Sequence, residues 1–135
     1  MPVVDASVAL KWFVEEPDSA QARAVRDAHI IGHAPIVAPD LLICEVANAL
    51  LHNPRFPERD IEQALFTLYD LQLELLMSSA ELTQAVVRLA ARYKLTFYDA
   101  LYVGLAQELD LELITADRRL QRAVGHLPFI RLLHA

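Results

Sequence analysis

Short apolar runs alternate along this chain with longer stretches of helical periodicity. Val3-Val4 stops at Asp5, after which Val8, Ala9, Trp12 and Phe13 recur at helical spacing, with Ser7 placed to cap the first turn. That pattern predicts strand, turn and helix. Pro17 ends this helix and Asp18-Ser19 opens a second, with Ala20, Ala24, Val25 and Ala28 as its apolar stripe. Ile36-Val37-Ala38 reads as a second strand, and Pro39-Asp40 starts a helix through Leu51. Pro57, at a favoured first-turn position, begins another that carries Ile61, Leu65, Leu68 and Leu71. Residues 73–77 form a candidate strand, and Ser78-Ser79-Ala80-Glu81 has the shape of a capping box before Leu82, Ala85, Val86, Leu89 and Ala90. Thr96-Phe97-Tyr98-Asp99 repeats that shape before a helix to about Leu109. Residues 111–115 are a strand, Asp117 opens a short basic helix, and 129–133 are a last strand. Strands without a polar face, separated by helices, indicate an α/β fold whose parallel sheet is covered on both sides. Ligands in such folds bind beyond the carboxyl ends of the strands, where Asp5 lies.

Composition narrows the class. At 135 residues the chain is expected to be a single domain spanning 1–135. An apolar content of 55% and a mean hydropathy of +0.27 fit a helix-rich core. They fit equally a surface partly covered by a second copy or a partner. No run approaches the roughly 18 apolar residues of a membrane span, and no signal-type segment opens the chain, so a soluble cytoplasmic protein with no membrane role is expected. The single cysteine, Cys44, lies in a strongly apolar stretch and is expected to be a buried thiol. A net charge of −6 argues against broad, nonspecific adhesion to nucleic acid, though not against a small local patch.

Most of the 18 acidic residues sit on polar helix faces, as Glu62, Asp70, Glu81 and Glu108 do. Four differ. Asp5 and Asp117 directly follow apolar strands, Asp99 stands in the first turn of an apolar helix, and Glu45 lies inside the most apolar helix of the chain. Singly, Asp117 and Asp99 also read as helix caps and Asp5 as a turn residue. Glu45 resists that reading. Burying its carboxylate is costly without compensation, and no Lys or Arg lies at helical spacing from it. All four can point into one crevice, where each like-charge pair at about 4 Å costs roughly 4 kcal/mol at an effective dielectric near 20. A cation or bound protons would relieve that cost, and an all-oxygen ligand set suits Mg²⁺ or Mn²⁺. The five histidines show no zinc-type spacing.

Four stretches carry a resemblance. Val3 to Phe13, Glu45-Val46-Ala47-Asn48-Ala49-Leu50, Tyr98-Asp99-Ala100-Leu101-Tyr102 and Leu113-Ile114-Thr115-Ala116-Asp117 resemble the successive motifs of PIN domains, most closely the VapC-type toxins of prokaryotic toxin–antitoxin pairs. The likeness spans nearly the whole chain. It implies a PIN-like three-layer α/β/α sandwich around a parallel sheet, and a Mg²⁺- or Mn²⁺-dependent endoribonuclease. It further implies a homodimer and a small antitoxin partner that blocks the site. Carried over by position, the catalytic acids are Asp5, Glu45, Asp99 and Asp117, with Ser7 and Thr115 as supporting hydroxyls and Asn48 as a polar neighbour.

The chemistry suits those residues independently. A metal held by carboxylates lowers the pKa of bound water and neutralises phosphate charge. Mg²⁺ takes one or two protein carboxylates and keeps several waters. Asp5, with one or both of Asp99 and Asp117, is therefore the expected ligand set, and Glu45 acts through water or on a second ion. Lys11, Arg118, Arg119 and Arg122 stand close in sequence to the acids and are candidates for holding the RNA backbone; a solvated helix face explains the arginines equally well. Three rivals remain. A receiver-type phosphoacceptor would carry an acidic pair before its aspartate and a Lys after a later strand, both missing here. A haloacid-dehalogenase-type phosphatase would have a second aspartate where Ser7 stands. A non-catalytic, RNA-binding PIN module has no need of all four acids.

Overall fold

The computed structural model describes residues 1–134. Five short strands form one sheet: β1 (Val3–Val4), β2 (Val37–Pro39), β3 (Glu74–Leu76), β4 (Leu113–Thr115) and β5 (Ile130–Leu132). Every neighbouring pair is parallel, in the order β3-β2-β1-β4-β5. Seven helices connect and flank them: α1 (Ala6–Leu10), α2 (Ser19–Ile30), α3 (Leu41–Leu51), α4 (Glu58–Asp70), α5 (Ala80–Tyr93), α6 (Phe97–Leu109) and α7 (Arg118–Val124). The first strand of the chain is thus the middle of the sheet. Val3 and Val4 are fully buried, as a strand covered on both faces must be. No helix among the described residues is long and apolar enough to cross a membrane.

Helix α6 is the main lid of the sheet. Its residues Ala100 to Ala106 are buried without interruption, and it touches β1, β2 and β4 while α5 packs along it. Gly104 permits that close approach: a Cβ placed there would lie 2.8 Å from Cγ2 of Val86 and 3.4 Å from Cδ1 of Leu89. His29 ties three elements together. Its Nδ1 accepts from the Ile36 N–H at 3.0 Å, which leaves Nε2 to donate to the Leu71 carbonyl at 2.7 Å.

Several local expectations shift. Helix α1 ends at Leu10 rather than at Pro17. The residues that follow are latched by Ser19, whose hydroxyl donates to the Val14 carbonyl and accepts from the Glu16 N–H. The cap of α1 is Asp5, not Ser7, and the cap of α5 is Ser79, one residue beyond the start of the expected box. In α2 the buried positions are Ser19 and Ala22, whereas Ala20 and Ala24 are exposed. Cys44 is exposed, not buried. Helix α3 buries Leu42, Ile43, Val46 and Leu50, so Cys44, Asn48 and Leu51, at i, i+4 and i+7, fall on its outer stripe. Large apolar side chains, among them Met77, Ile31, Phe66 and Leu51, stay exposed, in keeping with the apolar excess of the composition.

The α5–α6 contact yields a test. Gly104→Ala gains helix propensity of up to about 1 kcal/mol but drives a methyl into the stiff Val86 side chain, a cost of about 1–3 kcal/mol. Net destabilisation is expected by chemical denaturation, and Val86→Ala in the same chain should relieve it. A double-mutant cycle without a favourable coupling would contradict this contact as the reason for the glycine.

Candidate active site

The site begins with one aspartate. Asp5 follows β1, is buried, and serves as the N-cap of α1: its Oδ1 accepts from the Ser7 N–H at 3.1 Å and the Val8 N–H at 3.3 Å. Two hydroxyls complete its shell. Ser7 Oγ donates to Oδ1, and Thr115 Oγ1, at the end of the neighbouring strand β4, donates to Oδ2. Each hydroxyl in turn accepts a backbone N–H from the turn after β4. Ala116 donates to Ser7 at 2.9 Å and Asp117 donates to Thr115 at 3.1 Å. Ser7 and Thr115 thus form a clamp on Asp5. Burial still dominates its protonation. It pushes the Asp5 carboxyl up to about 6, against these hydrogen bonds and with help from the negative charge of Asp117.

The other three acids line up from there. Asp117 caps α7, its Oδ1 accepting from the Arg119 and Leu120 N–H groups at 2.9 and 3.2 Å. Asp99 stands in the first turn of α6, where its N–H donates to the Thr96 cap at 3.1 Å. Partial burial raises its pKa, as does repulsion from Asp117, against the Thr96 hydroxyl and the Arg119 charge. Glu45, on α3, is likewise raised by partial burial and by Asp99. The four carboxylates therefore repel in sequence: Asp5 with Asp117, Asp117 with Asp99, and Asp99 with Glu45. Among the described residues Arg119 is the cation whose charge offsets one of these raised acids, Asp99.

One participant is missing from the sequence reading. Tyr102, buried on α6 one turn beyond Asp99, donates from its hydroxyl to Glu45 Oε1 at 2.6 Å. This bond draws the Glu45 pKa down against burial, and the same environment pushes the tyrosine pKa up. It answers how a carboxylate survives in so apolar a helix. The signal in the sequence was a lone hydroxyl in the fully buried run of α6, three residues after Asp99. Two other candidates stand differently. Asn48 is exposed beside Glu45 on α3. Lys11 is buried and its ammonium is committed to Glu16 at 2.8 Å, so its charge is not offered to a ligand; Arg118, Arg119 and Arg122 are all exposed on α7.

Donor chemistry and charge fit a hard divalent cation: the cluster offers only oxygens and carries an uncompensated negative excess. The three-carboxylate set of Asp5, Asp99 and Asp117 is nevertheless not closed. Among the described residues no three acidic, histidine or cysteine side chains stand close enough together to hold one ion. An ion held by one or two carboxylates with water is the arrangement that fits.

Two tests follow in metal-free protein. The unfolded chain ionises Asp5 near 3.8 and the folded chain near 6. Between those values the folded state holds the extra proton, so stability falls as pH rises through the interval, by about 3 kcal/mol. Asp5→Asn should flatten that slope and be at least as stable as the parent at pH 7. Its amide oxygen can keep the cap on α1 while its nitrogen donates to Thr115. Asp5→Ala, which loses the cap, should fall below Asp5→Asn by about 1–2 kcal/mol. An Asn variant clearly less stable than the parent would make Asp5 a structural residue first. Tyr102→Phe should cost about 1–2 kcal/mol at pH 7 and less at pH 4, where Glu45 is protonated and the bond to its charged form is gone; equal losses at both pH values would contradict the link to Glu45.

Known proteins resemble this chain. Residues 3–125 match the family model of the PIN domain. The chain is 36% identical over 123 residues to Ribonuclease VapC3 of Pyrobaculum aerophilum, covering 87% of this chain and 90% of that one. Over 91 residues it is 41% identical to Ribonuclease VapC1 of Mycobacterium tuberculosis, covering 65% of this chain and 67% of the other. Among solved structures, PAE2754 of Pyrobaculum aerophilum superposes with a TM-score of 0.71 at 25% identity, over 98% of this chain and 88% of that one. A toxin–antitoxin complex from Klebsiella pneumoniae contains a chain with the same fold, at a TM-score of 0.73 and 19% identity, over 99% and 98% of the two chains. The match along residues 3–125 and the likeness to these relatives lead to one conclusion: this chain belongs to the PIN-domain family.

Proposed function

We propose that this protein is a metal-dependent endoribonuclease of the VapC type, the toxin of a toxin–antitoxin pair. The observation that carries the reading is a row of four carboxylates, each repelled by the next: Asp5 and Asp117 at the carboxyl ends of β1 and β4, Asp99 on α6 and Glu45 on α3. The family match and the ribonuclease names of the relatives support it. Mg²⁺ or Mn²⁺ is the proposed cofactor; when bound, such an ion lowers the pKa of a water and neutralises charge on the phosphoryl oxygens.

The chain's own residues have separable tasks in this reading. Asp5 is the fixed anchor, because both of its oxygens are gripped by hydroxyls that are themselves held by backbone. Asp117 spends one oxygen on its helix and keeps the other for the site. Asp99 adds a second or third oxygen donor from α6. Glu45, steadied by Tyr102, accepts a proton from water and orients it toward the phosphorus. Asn48 offers a hydrogen bond at the exposed edge of α3. The arginines of α7 face the phosphate backbone. The antitoxin partner, and a second copy of the chain, would cover apolar surface that the monomer leaves open. One such surface is the groove lined by Trp12, Phe13, Ile30, Phe56 and Leu71.

Cleavage assays on tRNA, rRNA and mRNA, with Mg²⁺ or Mn²⁺ and with EDTA, test the reading. EDTA should abolish cleavage and restored metal should recover it. Asp5→Asn, Asp99→Asn, Asp117→Asn and Glu45→Gln should each lower the rate by on the order of 100-fold or more. Cleavage that survives EDTA and all four substitutions would defeat the assignment.

A further inference from the structure

Beside the acids lies a small recess whose charge is opposite to theirs. It has a volume of about 160 Å³ and is lined by Lys94, Leu95, Thr96, Asp99, Arg119 and neighbouring apolar atoms of α7. Asp99 belongs both to this recess and to the row of acids, so the two are continuous. Two cations face one carboxylate here, in a chain whose net charge is −6. Lys11, Arg23, Arg26 and Arg131 are spent in ion pairs with Glu16, Glu15, Asp27 and Glu112. Among the described residues neither Lys94 nor Arg119 is in such a pair, and both side chains are exposed. Arg92 lies over the Tyr93 ring, Tyr93 contacts His126, and the end of α5 is thereby joined to the end of α7, which carries Arg122.

We infer that the Lys94–Arg119 recess is a subsite for single-stranded RNA, holding the phosphodiester next to the one positioned at the acids. The inference rests on the ribonuclease reading and adds where the strand runs: out of the acidic row, past Asp99, and along the seam between α5 and α7. A strand leaving the acids past Asp99 meets two cations at this edge. There an ammonium and a guanidinium offer free donors to phosphate, and Leu95 supplies an apolar wall to the recess. Lys94 is in the left-handed conformation, φ 56°, that closes α5. Glycine is the residue most at ease there, so Lys94→Gly removes the charge without burdening the fold.

The test is RNA binding by the intact protein in EDTA, read by fluorescence anisotropy of a labelled single-stranded oligoribonucleotide across a salt series. For single strands each lost phosphate contact lowers the slope of log affinity against log salt by about 0.7. Lys94→Gly and Arg119→Gln should each show that loss, Arg119→Lys should retain the parent slope, and Arg59→Gln on α4 should leave it unchanged. In cleavage with metal present, Lys94→Gly should raise KM several-fold with kcat within about twofold. A parent that cleaves RNA while Lys94→Gly and Arg119→Gln keep the parent slope overturns the subsite and leaves the ribonuclease reading standing. A parent that neither binds nor cleaves RNA overturns both.

Discussion

The grip on Asp5 is the constraint around which the molecule is arranged. A carboxylate buried at the end of the central strand is unfavourable unless its oxygens are matched by donors. Here they are matched from two directions: from α1, which the same side chain caps, and from Thr115 on the adjacent strand. Because Ser7 and Thr115 are themselves held by N–H groups of the β4–α7 turn, the ends of β1 and β4 and the starts of α1 and α7 are joined in one hydrogen-bonded unit. Remove the register between β1 and β4, and the clamp and the placement of Asp117 fail together.

That unit also explains how the protein tolerates a negatively charged edge. Hydrogen bonds lower the Asp5 pKa, but burial, with a smaller contribution from Asp117, raises it by more, so the folded protein holds this carboxylate at a cost. The opposing stability comes from elsewhere, from the uninterrupted burial of α6 and its tight packing on α5 at Gly104. Rigid support surrounding an unfavourable centre is what a site needs if its binding of a cation is to be strong.

The architecture was legible because the three inner strands are buried and mostly apolar and the helices are punctuated by Pro, Asp, Ser and Thr at their starts. The order of elements and the four acids could be read from that pattern alone. Cap identities could not: at Asp5-Ala6-Ser7 and Ser78-Ser79 two candidates compete, and tertiary contacts choose between them. Cys44 misled because an apolar stretch of α3 is longer than the face it buries. Lys11 misled because sequence proximity to Asp5 says nothing of Glu16, five residues on, which neutralises it. Tyr102 and Lys94 were invisible for a common reason. Each acquires its meaning from a residue on another helix, Glu45 in one case and Arg119 in the other.

The central strand is made first and completed late. Asp5 and Thr115 are 110 positions apart, and β4 is the neighbour that supplies both the second hydroxyl and Asp117. A ribosome-borne chain that has not yet extruded β4 holds Asp5 without its clamp and the acidic row without one of its members. Long-range closure of this kind forms only after the intervening helices are available. The full acidic row is therefore assembled only once β4 has paired with β1.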